Sequence, residues 1–333
     1  MCSAMEAGKI GDGVAQPRFD MTARAAILAA LAVAGWAAGA LADTAAVVVM
    51  YHRFGDSRYP STNTTLEQLD AHLRELASGP YRVLPLPRIV EALKNGTPLP
   101  DRAVGISIDD AYLSVYREGW PRLRNAGLPF TLFVATGAID RNASDYMGWD
   151  QIRELQAAGV TIGSQTVSHL HMAAADLERN RGELERSNRR FEEELGKPPA
   201  LFAYPYGESS LAVQKLVADM GFAGAFGQHS GAIGSGSGRY DLPRFAMNET
   251  YGTLQRFKLA VNALPLPVTD VTPADPLVGR VNPPAMGFTL AAPLRGIDRL
   301  ACFSSHAGRA RIERLGDSRI EVRVVEAFPA GRT

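Results

Sequence analysis

Two adjacent carboxylates follow a short apolar stretch, and they are the residues of this chain most suited to chemistry. Residues 104–108 have the continuous apolar pattern of a buried strand, and Asp109 and Asp110 come next. Neighbouring acids at the end of a buried strand repel each other and lose hydration, so a fold retains them only with compensation. A bound cation would supply it, with one carboxylate as ligand and the other as base. The structural alternative is a strand-end turn and helix N-cap, where aspartate is also favoured.

The elements around this pair alternate between apolar runs and helical patterns. Strands are predicted at residues 47–51, 104–108, 130–135, 160–163, 201–204 and 222–226, and helices at 66–76, 87–94, 120–126, 149–158, 177–195, 211–220 and 254–262. Such alternation predicts a parallel sheet covered by helices. The number of units favours an α/β fold of the (β/α) barrel type over an open sheet.

Polar residues follow several of these strands, and the carboxyl ends of parallel strands form one face of the fold. Four of the six histidines lie just past a strand, namely His52, His169, His171 and His229. A single histidine in such a place is more often structural, but several beside an acid pair predict a metal hydrolase site. The remaining two are predicted to be a helix-surface residue, His72, and a residue of a C-terminal β module, His306.

Four stretches of the chain resemble one family in order and spacing across residues 45–250. They are Val49-Met50-Tyr51-His52, Ser107-Ile108-Asp109-Asp110, Gln165-Thr166-Val167-Ser168-His169 and Phe202-Ala203-Tyr204-Pro205-Tyr206-Gly207. Together they resemble the polysaccharide deacetylases of the NodB-homology type (carbohydrate esterase family 4). The first stretch resembles most the exported poly-N-acetylglucosamine deacetylases. The resemblance implies a distorted (β/α) barrel, a divalent cation, usually zinc, and removal of acetyl groups from an acetylated glycan.

The resemblance also implies roles for individual residues. Asp109 would be the catalytic base, and Asp110 and His169 would be metal ligands. His52 would be the general acid that protonates the leaving amine. The loop containing Pro205 and Tyr206 would supply a backbone N–H to the oxyanion.

Three positions depart from the family pattern. Gln165 stands where the family has its first metal histidine, and an amide oxygen binds zinc less well than imidazole does. Either Gln165 ligates directly or through a water, or His171 helps, or the metal site is degraded. Ala111 replaces a glycine, which matters little if the backbone there is not left-handed. Ala203 replaces a base-orienting arginine.

Arg244 is the candidate for that missing charge, because it could reach the base from another strand. The alternative is a surface salt-bridge residue, which contributes little to stability.

The N-terminus has the pattern of an export signal. Arg24 precedes an apolar run over residues 25–41, and Ala40-Leu41-Ala42 fits a signal-peptidase site. The alternative is a single-pass anchor. We expect residues 1–42 to be leader and signal peptide, and the mature protein to be exported, periplasmic or secreted, with no stable membrane span. Cleavage would remove Cys2 and leave Cys302 as the only cysteine.

Composition and the positions of the prolines divide the rest of the chain into regions. The 333 residues are 46% apolar with a formal net charge of zero, which argues against nucleic acid and against an anionic membrane surface as partners. A deacetylase barrel is expected over residues 43–264, a proline-rich linker over 265–284, and a small, incomplete β module over 285–333, with strands at 299–303 and 319–325.

Two functions remain open from the sequence. The first is a metal-dependent hydrolase that removes acetyl groups from an N-acetylated polysaccharide or related carbohydrate. The second is a catalytically weakened barrel that acts as a carbohydrate-binding or scaffold module. The intact set of Asp109, Asp110 and His52 favours the first function, and Gln165 favours the second.

Overall fold

The computed structural model describes residues 2–3, 45–304 and 306–330. The predicted leader and signal peptide lies outside these ranges, apart from a two-residue strand, Cys2–Ser3. The strands and helices predicted between residues 47 and 262 are all present, with ends within two residues of the predicted ones.

Eight parallel strands form the central sheet of the described residues, and seven of them lie along one continuous path. These seven are β1 (Ala46–Tyr51), β2 (Ala103–Ile108), β3 (Thr131–Val134), β4 (Thr161–Ser164), β5 (Leu201–Ala203), β6 (Gly224–Phe226) and β7 (Phe245–Ala246). Their spatial order is β6-β5-β4-β3-β2-β1-β7, and Arg82–Val83 also pairs with β2. A parallel bridge joins Phe226 of β6 to Leu242, shortly before β7. The sheet therefore curls until its two edges approach, which confirms the predicted distorted (β/α) barrel.

The sequence explains why β1 is a central strand. Val48 and Val49 point to opposite faces of the sheet and are both fully buried, and each belongs to a different apolar cluster. A strand covered on both faces has a continuous apolar run rather than alternation. Strand β7 was not predicted, because two residues are too few to show any period.

Within the described ranges, eight α-helices accompany the sheet. They are α1 (Leu66–Ser78), α2 (Leu86–Asn95), α3 (Trp120–Asn125), α4 (Thr136–Asp140), α5 (Trp149–Ala157), α6 (Leu177–Leu195), α7 (Leu211–Asp219) and α8 (Leu254–Val261). A π-helical turn, Val115–Gly119, precedes α3. Helix α6 begins at a side-chain cap, because the carboxylate of Asp176 accepts the N–H of Arg179, and it ends at Gly196 in the left-handed conformation.

His72 is not the surface residue that the sequence predicted. It is fully buried, its ring stacks on Phe257 of α8 at 4.0 Å, and its Nε2 lies 2.8 Å from the carbonyl of Gly252. The hydroxyl of Tyr51 lies 3.0 Å from Nδ1. The leucine spacing correctly predicted the buried face of α1. His72 lies on that same face, but its polar side chain did not identify it as buried.

The C-terminal β module contains a four-stranded antiparallel sheet. Its strands in spatial order are Val268–Thr272, Met286–Leu290, Arg319–Arg323 and Arg311–Leu315. Its core includes Phe288, Leu290 and Ile320. The first strand lies within the range predicted as linker, so the sheet begins earlier than expected. The prolines flank this strand and leave its residues free to pair.

Short elements complete the described part of the chain. Arg53–Phe54 pairs with Asn63–Thr64, Ala301–Ser304 pairs with Cys2–Ser3 and Gly308–Arg309, and single 3₁₀ turns span Pro205–Gly207 and Ile297–Arg299. Cys302 is disulfide-bonded in the full chain, whereas a chain without residues 1–42 would contain no second cysteine. Across the described ranges, no helix combines the length and apolar character that crossing a membrane requires.

Candidate active site

A cavity of about 430 Å³ lies where the carboxyl ends of the strands meet. Four of the sequence-predicted residues line it, namely His52, Asp110, His169 and Tyr206. The other lining residues are Thr62, Tyr112, Ala135, Ala138, Arg141, Tyr146, Val167, Ser168 and Gln228. Asp109, Gln165, Pro205 and Arg244 are buried and are not among these lining residues.

Asp109 is fully buried, and one arginine compensates its charge. Arg244, also fully buried, donates from Nη1 to Oδ1 at 2.6 Å and from Nη2 to Oδ2 at 2.8 Å. The same guanidinium donates to the carbonyl of Gly227 and to the hydroxyl of Ser107. This bidentate geometry is the strongest form of carboxylate pairing. Arg244 is therefore not the surface salt-bridge residue of the alternative reading.

Asp110 projects toward the cavity and lies beside His169. Its Oδ1 lies 3.4 Å from Nε2 of His169 and has no hydrogen-bond partner among the described residues. Burial raises the pKa of Asp110, but contact with His169, the charges of His52 and His169, and the Tyr112 hydroxyl outweigh burial and hold the pKa below its ordinary value. The carboxylate is therefore kept ionised next to an imidazole, which is the arrangement that a cation ligand needs.

Gln165 is a buried amide without partners. It is fully buried, and within the described ranges neither its Oε1 nor its Nε2 has a hydrogen-bond partner. Leaving such groups unpaired costs free energy, and buried amides normally find partners. The amide is thus free to accept a partner that the protein itself does not supply.

The backbone is left-handed at several positions around the cavity. Asp110, Ala111, Thr166, His169 and Tyr206 all have φ between 54° and 73°. Residues other than glycine rarely adopt this conformation, and it tends to cluster at functional sites. At Ala111 the left-handed backbone means that replacement of the family's glycine is strained, not the minor change that the sequence left open.

Glu183 of α6 holds the loop that carries His169, and sequence reasoning missed it. Its Oε2 accepts the backbone N–H groups of Val167 at 3.1 Å and of Ser168 at 2.8 Å, and also the hydroxyl of Ser168. Burial raises the pKa of Glu183, but these hydrogen bonds and that from Arg186 outweigh burial and lower the pKa. A buried, ionised carboxylate thus fixes the two residues immediately before His169.

The turn Pro205–Gly207 places Tyr206 between two histidines. Its ring stacks on His171 at 3.9 Å and meets the ring of His169 edge-on at 4.4 Å. His171 is directed to the carboxylate of Glu208, 2.8 Å from Nδ1, so His169 is the histidine beside Asp110. Gly207 has φ 71°, and a Cβ there would lie 2.5 Å from Gln228, so the turn requires glycine.

Arg53, the residue after His52, positions another part of the cavity lining. Arg53 is buried, and its guanidinium lies between the rings of Tyr59 and Tyr112, at 4.0 and 3.4 Å from their centroids. Cation–π attraction between this guanidinium and the two rings holds the tyrosine side chains in place. Tyr112, which lines the cavity, therefore has a fixed orientation.

Two donor atoms of types that a divalent cation accepts lie side by side, and the candidate third donor is the buried amide of Gln165, which does not line the cavity. Asp110 and His169 offer a carboxylate oxygen and an imidazole nitrogen side by side, and Gln165 offers an unpartnered amide oxygen. No group of three or more histidine, cysteine, aspartate or glutamate side chains suited to a metal occurs within the described ranges. The third ligand would have to be a neutral oxygen, which is poorer for zinc than imidazole.

Comparison with known proteins shows similarity to one family over part of the chain. Residues 96–225 match the family model named polysaccharide deacetylase. YxkH of Bacillus subtilis, whose name places it among polysaccharide deacetylases, is 22% identical over 197 residues, covering 59% of this chain and 69% of that protein. A poly-β-1,6-N-acetyl-D-glucosamine N-deacetylase of Staphylococcus aureus is 22% identical over 195 residues, covering 55% of this chain and 67% of that protein.

Solved structures share the fold. The deacetylase PplD of Streptococcus pyogenes, in complex with acetate, aligns with a TM-score of 0.61 at 18% identity, over 65% of this chain and 98% of that one. IcaB from Ammonifex degensii aligns with a TM-score of 0.57 at 25% identity, over 66% of this chain and 97% of that one. The sequence match and the curled parallel sheet agree with the resemblance read from the motifs. Residues 96–225 are therefore similar to the polysaccharide deacetylase family, and the described sheet has the fold of these solved deacetylases.

Proposed function

We propose that this protein removes acetyl groups from an N-acetylated polysaccharide or a related carbohydrate. The observation that supports this most is the contact between Asp110 and His169 on the wall of a cavity that His52 and Tyr206 also line. Amide hydrolysis needs a polarised carbonyl, an activated water and a proton for the leaving amine. The name of the Staphylococcus aureus relative supports an acetylated glycan as the substrate class.

A divalent cation is part of the proposal, with zinc expected. Asp110, His169 and Gln165 would hold it. When bound, such a cation acts as a Lewis acid toward the acetyl carbonyl and acidifies water. The unpaired Oδ1 of Asp110 and the unpaired amide of Gln165 support this assignment.

The remaining roles belong to side chains and backbone of this chain. Asp109 would accept the proton of the attacking water. Arg244 compensates the charge of Asp109 and orients its carboxylate, and a carboxylate oxygen that accepts one hydrogen bond still has a second lone pair. His52 would protonate the sugar nitrogen as the C–N bond breaks. The backbone N–H of Tyr206, which follows Pro205, would donate to the oxyanion.

A second function has support from two observations. Gln165 replaces a histidine ligand, and Asp109 is fully buried instead of lining the cavity. Both would suit a barrel that binds a glycan without hydrolysing it. The two functions differ in one measurable property, which is turnover.

Acetate release tests the proposal. Purified protein would be incubated with chitooligosaccharides and with β-1,6-linked N-acetylglucosamine oligomers, first with EDTA and then with added Zn²⁺ or Co²⁺. We expect acetate release that EDTA abolishes, and loss of release in Asp109→Asn and His52→Asn. Arg189→Gln, which changes an exposed arginine on α6, is the matched control. Binding of these oligomers without acetate release under any metal condition would support the second function instead.

Export is the last part of the proposal. Cleavage after Ala42 would give a mature N-terminus at Asp43 and leave Cys302 as the only cysteine. Mass spectrometry of the exported protein would check the N-terminus, and thiol labelling after denaturation would count one free cysteine. A full-length exported protein with no free thiol would contradict cleavage and would agree with the disulfide at Cys302.

A further inference from the structure

Arg141 lies directly after α4, is exposed, and lines the cavity. It is the only arginine or lysine among the lining residues. A Cβ placed on Gly137 would lie 3.2 Å from Nη1 of Arg141 and 2.7 Å from the carbonyl of Val167. The guanidinium therefore folds back over the first turn of α4, toward the loop that continues to His169.

Among the described residues, the guanidinium of Arg141 has no ion pair and no side-chain hydrogen bond. The carboxylate next to it in sequence, Asp140, is already engaged, because Oδ1 accepts from Trp149 Nε1 and from Arg190 Nε, both at 2.7 Å. Glu183 is likewise bound to its own loop and to Arg186. A full positive charge is thus left without a counter-charge on the wall of the substrate cavity.

From this placement we propose that Arg141 is a specificity-determining residue that binds an anionic substituent of the sugar substrate, a carboxylate or a phosphate. The inference rests on the proposed function and names its substrate class more closely. A planar guanidinium binds carboxylate and phosphate through two parallel hydrogen bonds. A neutral glycan that covers Arg141 would remove water from the guanidinium without supplying a negative charge. Burying the unpaired positive charge in this way would cost free energy.

The proposal also agrees with the charge of the cavity. Asp110 is the only carboxylate among the lining residues, and its Oδ1 lies 3.4 Å from Nε2 of His169. An anionic group near Arg141 would therefore meet one guanidinium in a cavity whose lining holds a single carboxylate. The zero net charge of the chain argues against a general attraction for polyanions, so Arg141 is the lining side chain that would recognise the anion.

Matched substrates test the proposal. The probes are N-acetylglucosamine oligomers of equal length that carry 3-O-lactyl carboxylates, the methyl esters of those same groups, or 6-phosphates. We expect wild-type kcat/KM for the acid to exceed that for the ester. In Arg141→Gln the ratio of acid to ester should fall by about tenfold to a hundredfold, the worth of hydrogen bonds to a charged group. The phosphate probe shows which anion is preferred.

Two further variants test whether the change in the acid-to-ester ratio comes from the guanidinium of Arg141. Arg141→Lys keeps the charge without the planar fork and should retain part of the preference. Arg189→Gln removes another exposed arginine, outside the cavity, and should leave the ratio unchanged. An equal loss on acid and ester in Arg141→Gln, or no loss, would overturn the proposal and assign Arg141 to general contact with the sugar.

Binding measurements separate this proposal from the proposed function. Calorimetric titration with the acid and the ester requires no turnover. If wild-type protein releases no acetate from any probe, the proposed function fails, but tighter binding of the acid that is lost in Arg141→Gln would still support recognition of an anion. Equal affinity of the wild-type protein for acid and ester would overturn the inference even where acetate is released.

Discussion

Asp109 depends on a single residue for the compensation of its charge. Both of its oxygens bind the guanidinium of Arg244, and both side chains are fully buried. We expect Arg244→Met to lower the free energy of unfolding by about 3–5 kcal/mol, because it leaves a buried carboxylate unpaired. Urea denaturation at neutral pH would measure this.

A double-mutant cycle distinguishes pairing from lost packing. Asp109→Asn combined with Arg244→Met removes both charges, so the double variant should recover part of the stability lost in Arg244→Met. If the two single losses simply add in the double variant, the bidentate contact is not what stabilises this part of the core.

Gln165 can be examined by two substitutions that have opposite consequences. Gln165→His supplies an imidazole ligand and should tighten Zn²⁺ binding by more than roughly tenfold. Residues that only support a metal ligand already change metal affinity by about tenfold or more, and a direct ligand should matter more. Gln165→Met is similar in size and removes two unpaired polar atoms, so it should stabilise the metal-free protein by about 1–3 kcal/mol. Zinc titration and thermal unfolding with EDTA would measure the two effects.

The same pair of variants decides where the amide points. If Gln165→His does not change zinc affinity while Gln165→Met is more stable, then residue 165 faces the core and not the cation. In that case the metal site would consist of Asp110 and His169 without a third protein ligand from this loop.

At the scale of one element, helix α6 and the loop before His169 act together through Glu183. Glu183→Gln keeps the size of the side chain but removes the charge that accepts two backbone N–H groups. We expect a loss of about 1.5–3 kcal/mol in stability, the range for hydrogen bonds to charged groups. We also expect lower kcat with a smaller change in KM, because the loop positions His169.

The pH dependence of that loss has a defined sign. The pKa of Glu183 is lowered in the folded protein, so its stabilisation is present above the ordinary glutamate pKa and is lost as pH falls through the lowered value. Glu185→Gln, on the exposed face of the same helix, is the control. Equal acid sensitivity in wild type and Glu183→Gln would show that the loop does not depend on this charge.

The sequence predicted the elements well because the strands are apolar runs, as β1 and β2 are, and because the helices repeat their apolar residues at helical spacing. It could not predict which residues meet across the sheet, since Asp109 and Arg244 are 135 positions apart and come together only because Arg244 lies just before β7. Glu183 was missed because α6 is highly charged. One signal was present: Asn180, Glu183 and Ser187 lie on the same stripe as Leu184 and are buried.

At the scale of the whole molecule, His72 joins α1, β1 and α8 in one buried cluster. Burial lowers its pKa to about 4, and the hydrogen bond to Gly252 opposes this only in part. The unfolded chain takes up a proton below about pH 6.5, but the folded protein does so only near pH 4. Stability should therefore fall between these values as pH decreases, by about 3 kcal/mol in total.

The variant His72→Gln separates the pH-dependent contribution of His72 to stability from that of the carboxylates that titrate in the same pH range. The neutral ring accepts from the Tyr51 hydroxyl at Nδ1 and donates to Gly252 from Nε2. His72→Gln retains an acceptor and a donor but does not titrate. Urea unfolding of both proteins from pH 7.5 to pH 4.5 should give curves that converge as pH falls, because only the wild type loses the histidine contribution. Parallel curves would mean that His72 is protonated as readily in the folded protein as in the unfolded chain, and the buried cluster would then have to accommodate a charge.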